Sequence, residues 1–374
     1  MTDRPPSLMP AAATTRLAID LGALAANWRQ MAARSGRARC GAAVKADGYG
    51  TGMIPVAGRL EREGCRDFFV ADANEGAALR RALPEARIHV LNGAFDGAMA
   101  LLVAHDLIPV LNSMHQVALW RSAGAGRACA LHVDTGMNRL GVTPAEAAGL
   151  AADPSFRPVL VMSHFACADT PAHPLNAAQI AAFAAARAHF PQAEASLANS
   201  AGIHLGADAL FDLTRPGIAL YGGESVNDTP NPMAVVATLK TRVLVLREAR
   251  AGDSVSYGAT ARLGRDSRIA VCGIGYADGF HRSGSGSGVP LRGTGLPGAH
   301  GIIAGERVPV LGRVTMDLTM FDVTDLAPGA VEPGSWIELF GPAIALDDAA
   351  RAAGTIGYEL LTAMGRRSAR EYRD

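Results

Sequence analysis

Surplus charge is missing from this 374-residue chain: Lys plus Arg and Asp plus Glu each number 35, and the formal net charge is zero. A broad electrostatic surface for nucleic acid or anionic membrane is therefore not expected. No uninterrupted apolar run reaches membrane-spanning length. Cysteine is scarce and scattered: the five, Cys40, Cys65, Cys129, Cys167 and Cys272, are odd in number and never form a CxxC pair. That argues against a disulfide framework and a zinc site, so no metal is expected, and it fits a reduced, cytoplasmic setting. The opening stretch "MTDRPPSLMPAAATT" lacks an apolar signal core and reads as a flexible lead-in, residues 1–15, free to pack on the second domain described below. No GxGxxG follows the first expected strand, which weakens a dinucleotide-binding reading.

What the chain does have is apolar content, at 49%, enough for a large core in one large domain or two. From Arg16 to Gly223, short apolar runs alternate with alanine-rich helical stretches. "RLAID" reads as a strand and "LGALAANWRQMAAR" as a helix. Then come "CGAAVK", "DFFVAD", "RIHVLN", "LIPVLN", "ACALHVD", "RPVLVMS", "EASLA" and "DLTRPGIALYG", most of them separated by helices. Repeated strand–helix units of this size predict an α/β fold closed as a (β/α)8 TIM-like barrel over 16–231, with an open doubly wound sheet as the competitor. After "ESVNDTPNP" the texture changes to strand-like runs broken by Gly, Pro and Asp. Residues 232–374 are expected to form a mostly β domain, with helices only at "LDDAARAAG" and "TIGYELLTAM".

Barrel enzymes carry their chemistry at the C-terminal ends of the strands. The polar residues just beyond the expected strands are Lys45, Asp134, Arg139, His164, Asn199, Ser200 and Arg215. Each alone has a plain reading. A strand-end lysine is usually solvated, and a lone histidine usually serves a structural hydrogen bond. Ser200 in "ANSAG" can cap the next helix, and Arg215 can be an ordinary ion-pair partner. Together they suit one cofactor. A lysine amine can be attached to the aldehyde of pyridoxal 5'-phosphate, or PLP. Its phosphate needs backbone N–H groups and hydroxyls, for which Ser200, Gly217, Ile218 and Tyr49 are placed. Its ring nitrogen needs a partner, for which Arg215 is the candidate, and His164 is a candidate to lie under the ring.

"AAVKADGYGTG" resembles the PLP-lysine motif of alanine racemases. The resemblance continues in order through "VDTGMNRLG", "SHFACAD", "ANSAG", "RPGIALYG", "VSYGAT", "GYADG", "GRVTMD" and "TIGYEL", nearly the whole chain. It implies a fold-type III PLP enzyme, a barrel followed by a β domain, working as a head-to-tail homodimer with composite active sites. It implies Lys45 as the cofactor lysine and the base on the D face. It implies Tyr257 as the base on the L face, reaching in from the other subunit. Read without the family, "SYG" is a strand-end tyrosine with a buried hydroxyl partner. Tyrosine ordinarily titrates near 10, so such a base needs about 3–4 kcal/mol of preferential anion stabilisation. Arg139 and His164, with Arg215 behind His164, would supply that neighbourhood. Arg139 would also bind the substrate carboxylate. An arginine keeps its proton and should leave the ring nitrogen largely unprotonated, favouring prompt return of the substrate proton over transamination. From the other subunit, Met316 would bind the carboxylate through its backbone N–H. Tyr276 and Asp317 would line the entrance, and Tyr358 would contact the phosphate. Without the family, Met316 and Tyr358 read as packing residues.

The match departs from the family pattern at His132. Many members carry there a carbamylated lysine that orients the arginine, as "LKVDTG"; this chain has "LHVDTG". Histidine does not supply the carbamate's charge, so Arg139 must be held by another hydrogen bond, by an anion such as chloride, or less tightly. Some relatives of broader substrate range also lack that lysine. The stretch 281–301 is rich in Gly and Ser and reads as a mobile entrance loop or a surface hairpin. The resemblance implies interconversion of L- and D-alanine, for peptidoglycan supply or alanine catabolism. The alternatives are a broader racemase acting on serine or other small amino acids, a decarboxylase of the same fold, and a non-catalytic PLP-binding protein. The last is disfavoured because such proteins are shorter and lack the β domain.

Overall fold

The computed structural model describes residues 12–124, 126–289 and 298–374. It divides into two compact units, one spanning 24–234 and the other combining residues up to Ala23 with 235–374.

The 24–234 unit is built on a parallel sheet of seven strands taken in chain order. Its strands are Ala42–Ala43, Asp67–Val70, Arg87–Val90, Ile108–Leu111, Ala130–His132, Leu160–Met162 and Glu194–Ser196. These segments are almost wholly buried, as expected where helices cover one face and side chains fill the other. An eighth strand, Leu213–Thr214, pairs in parallel with Arg39–Cys40, which leads directly into the first strand. It is joined to the seventh by Asp212 N–H to Ala195 O, 3.0 Å, and Arg215 N–H to Ala198 O, 2.9 Å. The ring of strands is thus closed, and the barrel rather than the open sheet is the architecture. The crossover helices start where the sequence signals them. Asp72 accepts from Asn74 and Glu75 to cap Ala73–Ala82, and Thr143 forms a capping box with Glu146 at Pro144–Ala151.

The second unit is mostly strand. Eight strands form its sheet, with Ala237–Ala249 near the centre and two helices, Leu346–Ala352 and Gly357–Thr362, beside it. One expectation is corrected here. "RLAID" does not open the barrel. The strand Thr15–Asp20 pairs antiparallel with Ala237–Ala249 and parallel with Ala369–Arg373. Its burial alternates, with Leu17 and Ile19 buried and their neighbours partly exposed. That is the pattern of a strand with one face on a core, whereas the barrel strands are covered on both faces. Of the Gly/Ser-rich stretch 281–301, residues 290–297 lie outside the described residues, as do 1–11 of the lead-in. Arg282–Gly284 is a short 3-10 turn.

Candidate functional site

Lys45 begins directly after the first barrel strand, and the chain then does something unusual. Ala46, Asp47, Gly48 and Tyr49 have φ of 54°, 54°, 62° and 54°, followed by Gly50 at 78°. Three of these five are not glycine, so the turn is left-handed at a cost of about 1–2 kcal/mol for each non-glycine residue. The surroundings hold it in place. Asp47 accepts from Met53 N–H at 2.9 Å, its own N–H donates to Glu75 at 3.3 Å, and Gly48 N–H reaches Val44 O at 2.8 Å. Strain held by so many contacts fixes where Lys45 and Tyr49 leave the backbone. Burial lowers the Lys45 ammonium below its usual range, the Arg139 charge lowers it further, and Glu75 opposes both. A lysine so placed sheds its proton more readily and is a better nucleophile.

Tyr49 is buried and stacks on Tyr221, ring centroids 4.6 Å apart. Its hydroxyl lies in the space a β-carbon on Gly217 would fill. Ser200 is buried beside it. It does not cap its own turn: its Oγ accepts from the N–H groups of Gly217 at 2.8 Å and Ala219 at 3.4 Å. Capping falls to Asn199, whose Oδ1 accepts from Gly202 N–H at 2.8 Å. Ile218 opens the 3-10 turn Ile218–Tyr221, where the first N–H groups have no acceptor within the turn. Tyrosine and serine hydroxyls and a run of turn N–H groups are thus gathered in one place.

Arg215 is 5% exposed, yet among the described residues no carboxylate holds it. It donates to Ser196 Oγ, to Ser163 O at 2.6 Å and to Leu197 O at 3.2 Å, and lies 3.4 Å from His164 Nδ1. Burial pushes the guanidinium down to about 9, still far above neutrality, so it stays charged. Both protons of this Nη2 are directed at the carbonyls of Ser163 and Leu197, so its approach to His164 Nδ1 is a secondary contact. Asn199 Nδ2 lies 3.4 Å from the other ring nitrogen, Nε2. Burial, then the charges of Arg215, Arg139 and Lys45, hold His164 well below its ordinary pKa, so it is neutral.

His132 is 7% exposed and its Nδ1 lies 2.8 Å from Asn112 Oδ1. Asn112 cannot turn its amide, because Nδ2 is committed to the carbonyls of Leu91 and Val110 at 2.9 and 2.7 Å. Nδ1 of His132 therefore carries the proton and Nε2 a lone pair. Burial, then Arg215 and Arg139, push its pKa down to about 4. Among the described residues no hydrogen bond joins this nitrogen to Arg139. Arg139 itself is exposed, on a loop gathered by Asp134, whose Oδ1 accepts from the N–H groups of Gly136, Met137 and Asn138. Lys45, Arg139 and Arg215 thus give this end of the barrel three cations around two neutral histidines, a field fit for phosphate and carboxylate groups.

In the other unit, Tyr257, Tyr276, Met316 and Tyr358 are all exposed, at 72%, 44%, 55% and 39%. Tyr276 and Met316 lie on two loops joined by Tyr276 N–H to Thr315 O and Ala277 N–H to Met316 O, both 3.0 Å. Asp317 is bound by Arg367 at 2.7 Å. Tyr257 stands on a short hairpin of Ser254–Val255 and Ala261–Arg262. Sequence reading missed Asn112 and Arg367. Asn112 follows the strand Ile108–Leu111, so the strand-end rule that picked out Lys45 also reaches it. Arg367 carries no local signal.

The sequence models of the alanine racemase N-terminal and C-terminal domains match residues 19–225 and 236–372. A biosynthetic alanine racemase of Agrobacterium fabrum is 55% identical, over 96% of this chain and 94% of that one. A catabolic alanine racemase of Mesorhizobium japonicum is 44% identical, over 97% and 94%. The crystal structure of alanine racemase from Bartonella henselae, with covalently bound pyridoxal phosphate, superposes with a TM-score of 0.89 at 35% identity, covering 96% of this chain and all of that one. With both domain models matched in order and near full-length coverage, the chain belongs to the alanine racemase family.

Proposed function

We propose that this protein interconverts L- and D-alanine with pyridoxal phosphate, using Lys45 and Tyr257 as bases on opposite faces of the substrate. The observation that carries this reading is the half-buried Lys45 amine, depressed in pKa, among Arg139, Arg215 and two neutral histidines. Bound pyridoxal phosphate supplies an electron sink that acidifies the substrate Cα–H. Lys45 would hold it. The hydroxyls of Tyr49 and Ser200, the N–H groups of Gly217 and Ile218, and Tyr358 would take the phosphate. Arg215 would face the ring nitrogen, with His164 and Asn199 beside the ring. Arg139 and the Met316 N–H would orient the carboxylate. The neutral His164 ring, which has one N–H to donate, would stand beside a tyrosine oxygen that must carry negative charge. Racemisation needs one group to remove the α-proton and another to return one from behind, so a lysine alone is half of a site. The exposed Tyr257, Tyr276, Met316 and Tyr358 support a head-to-tail homodimer in which a second copy supplies them. Both biosynthetic and catabolic relatives match, and supply of D-alanine for peptidoglycan is the role we favour.

Chiral analysis of products over a panel of L-amino acids tests this directly. The PLP-loaded protein should bring L-alanine to an equal mixture, with serine slower. Absence of D-alanine would end the proposal, and equal rates on several side chains would shift it to a broader racemase.

The phosphate cradle gives a second test. In Gly217→Ala the new methyl overlaps the Tyr49 hydroxyl and comes within 3.0 Å of its ring carbon. Overpacking of this kind costs about 1–3 kcal/mol, so PLP affinity should fall roughly tenfold or more, read by titration of the apo-protein. Tyr49→Phe in the same chain should recover part of the lost stability, because the worst overlap is with the oxygen. An unchanged PLP affinity in Gly217→Ala would remove this turn from the phosphate site.

A further inference from the structure

Arg367 lies in "GRRSAREYRD", just before the strand Ala369–Arg373. Its guanidinium serves two carboxylates. Nε and Nη2 donate to the two oxygens of Asp278, at 2.7 and 3.1 Å, while Nη1 donates to Asp317 Oδ1 at 2.7 Å. Asp278 is 1% exposed and also accepts from Gly275 N–H at 2.9 Å, closing the turn Tyr276–Asp278. Asp317 is on the facing loop, next to Met316. The loops already touch closely: a β-carbon on Gly275 would overlap the carbonyl oxygens of Thr315 and Met316. Two backbone hydrogen bonds join them along one side, and the arginine fork ties them on the other. A rigid planar fork holds two carboxylates at a set spacing, which a single ammonium does not.

We propose that Arg367 is a positioning residue for substrate recognition, clamping the Tyr276 and Met316 loops in the register that presents the Met316 N–H and the Tyr276 ring. This rests on the reading above that both residues serve the substrate end of the site. About half of the Arg367 side chain is exposed but Asp278 is buried, so substitution at Arg367 also costs stability. Its effect should appear in binding.

In the holoenzyme, Arg367→Lys keeps a charge beside Asp278 and loses the fork. KM for both alanine enantiomers should rise roughly tenfold with kcat within about twofold, the signature of lost uniform binding. Arg265→Lys, which alters an exposed arginine fork on Asp325, is the control and should change neither constant. An unchanged KM in Arg367→Lys overturns the proposal. So does a loss confined to thermal stability, or a fall in kcat with KM unmoved. Tyr276→Ala separates the two levels. If it leaves KM unchanged, the loop assignment fails and the positioning role falls with it. If it raises KM while Arg367→Lys does not, only the positioning role is overturned.

Discussion

Lys45→Ala should abolish alanine racemisation, by roughly 10^4-fold or more, while leaving thermal stability unchanged or raised. The two halves of that expectation have one physical source. The Lys45 ammonium is depressed by burial and by Arg139, so in the free protein its charge is an unfavourable burden on the fold. Removing it relieves that burden. A structural lysine, held by an ion pair, would behave in the opposite way. The chain also makes the covalent assignment unusually clean. It contains two lysines, Lys45 and Lys240, and Lys240 is paired with Glu338 at 3.6 Å. Borohydride reduction of the PLP-loaded protein followed by peptide mass analysis should place the cofactor on the peptide containing Lys45. In Lys45→Ala the visible absorbance of bound cofactor and the mass adduct should both disappear. An adduct retained at Lys240, or activity within tenfold of wild type, would overturn the assignment.

The barrel was readable because its signals are local. Apolar runs such as "DFFV" and "RIHV" are short, bounded and, apart from the exposed Arg87, buried in the sheet, and "LGALAANWRQMAAR" is the helix Leu21–Arg34. Lys45, Asn199 and Arg215 stand out by position, immediately after strands. What was not readable depends on partners far along the chain. The apolar residues of "RLAID" fit either a barrel strand or a sheet edge, and only its pairing with Ala237–Ala249 decides. The glycines around Lys45 suggest a turn, yet nothing in the sequence shows that Ala46, Asp47 and Tyr49 share the left-handed conformation, since neighbours such as Glu75 enforce it. The state of His132 is set by Asn112, twenty residues away, and through it by two carbonyls. Arg367 looks like one more arginine in a charged terminus until Asp278 and Asp317 are seen on either side of it.

Tyr257→Phe should lose racemase activity by about 10^2–10^4-fold, the range for removal of a positioned acid–base group, and exchange of the α-proton should be lost unequally between the enantiomers. The phenol ring is 72% exposed on its hairpin. The backbone on either side is strained, with Ser256 at φ 67° and Ala259 at φ 47°. A hairpin that holds left-handed residues to present an exposed aromatic is built to deliver that side chain elsewhere. Phenylalanine keeps the ring and its packing and removes the one atom that can take a proton. Lys45 still serves the D side, so exchange of the α-proton of D-alanine into deuterated water should persist better than that of L-alanine. Equal losses would sink the face assignment. The subunit assignment has its own test. Dimers formed from equal amounts of Lys45→Ala and Tyr257→Phe chains are half mixed, and in a head-to-tail pair one of the two sites of each mixed dimer regains both bases. Two inactive variants should then recover about one quarter of wild-type activity on mixing. If Lys45 and Tyr257 met within one chain, every site in the mixture would lack a base and no activity would return.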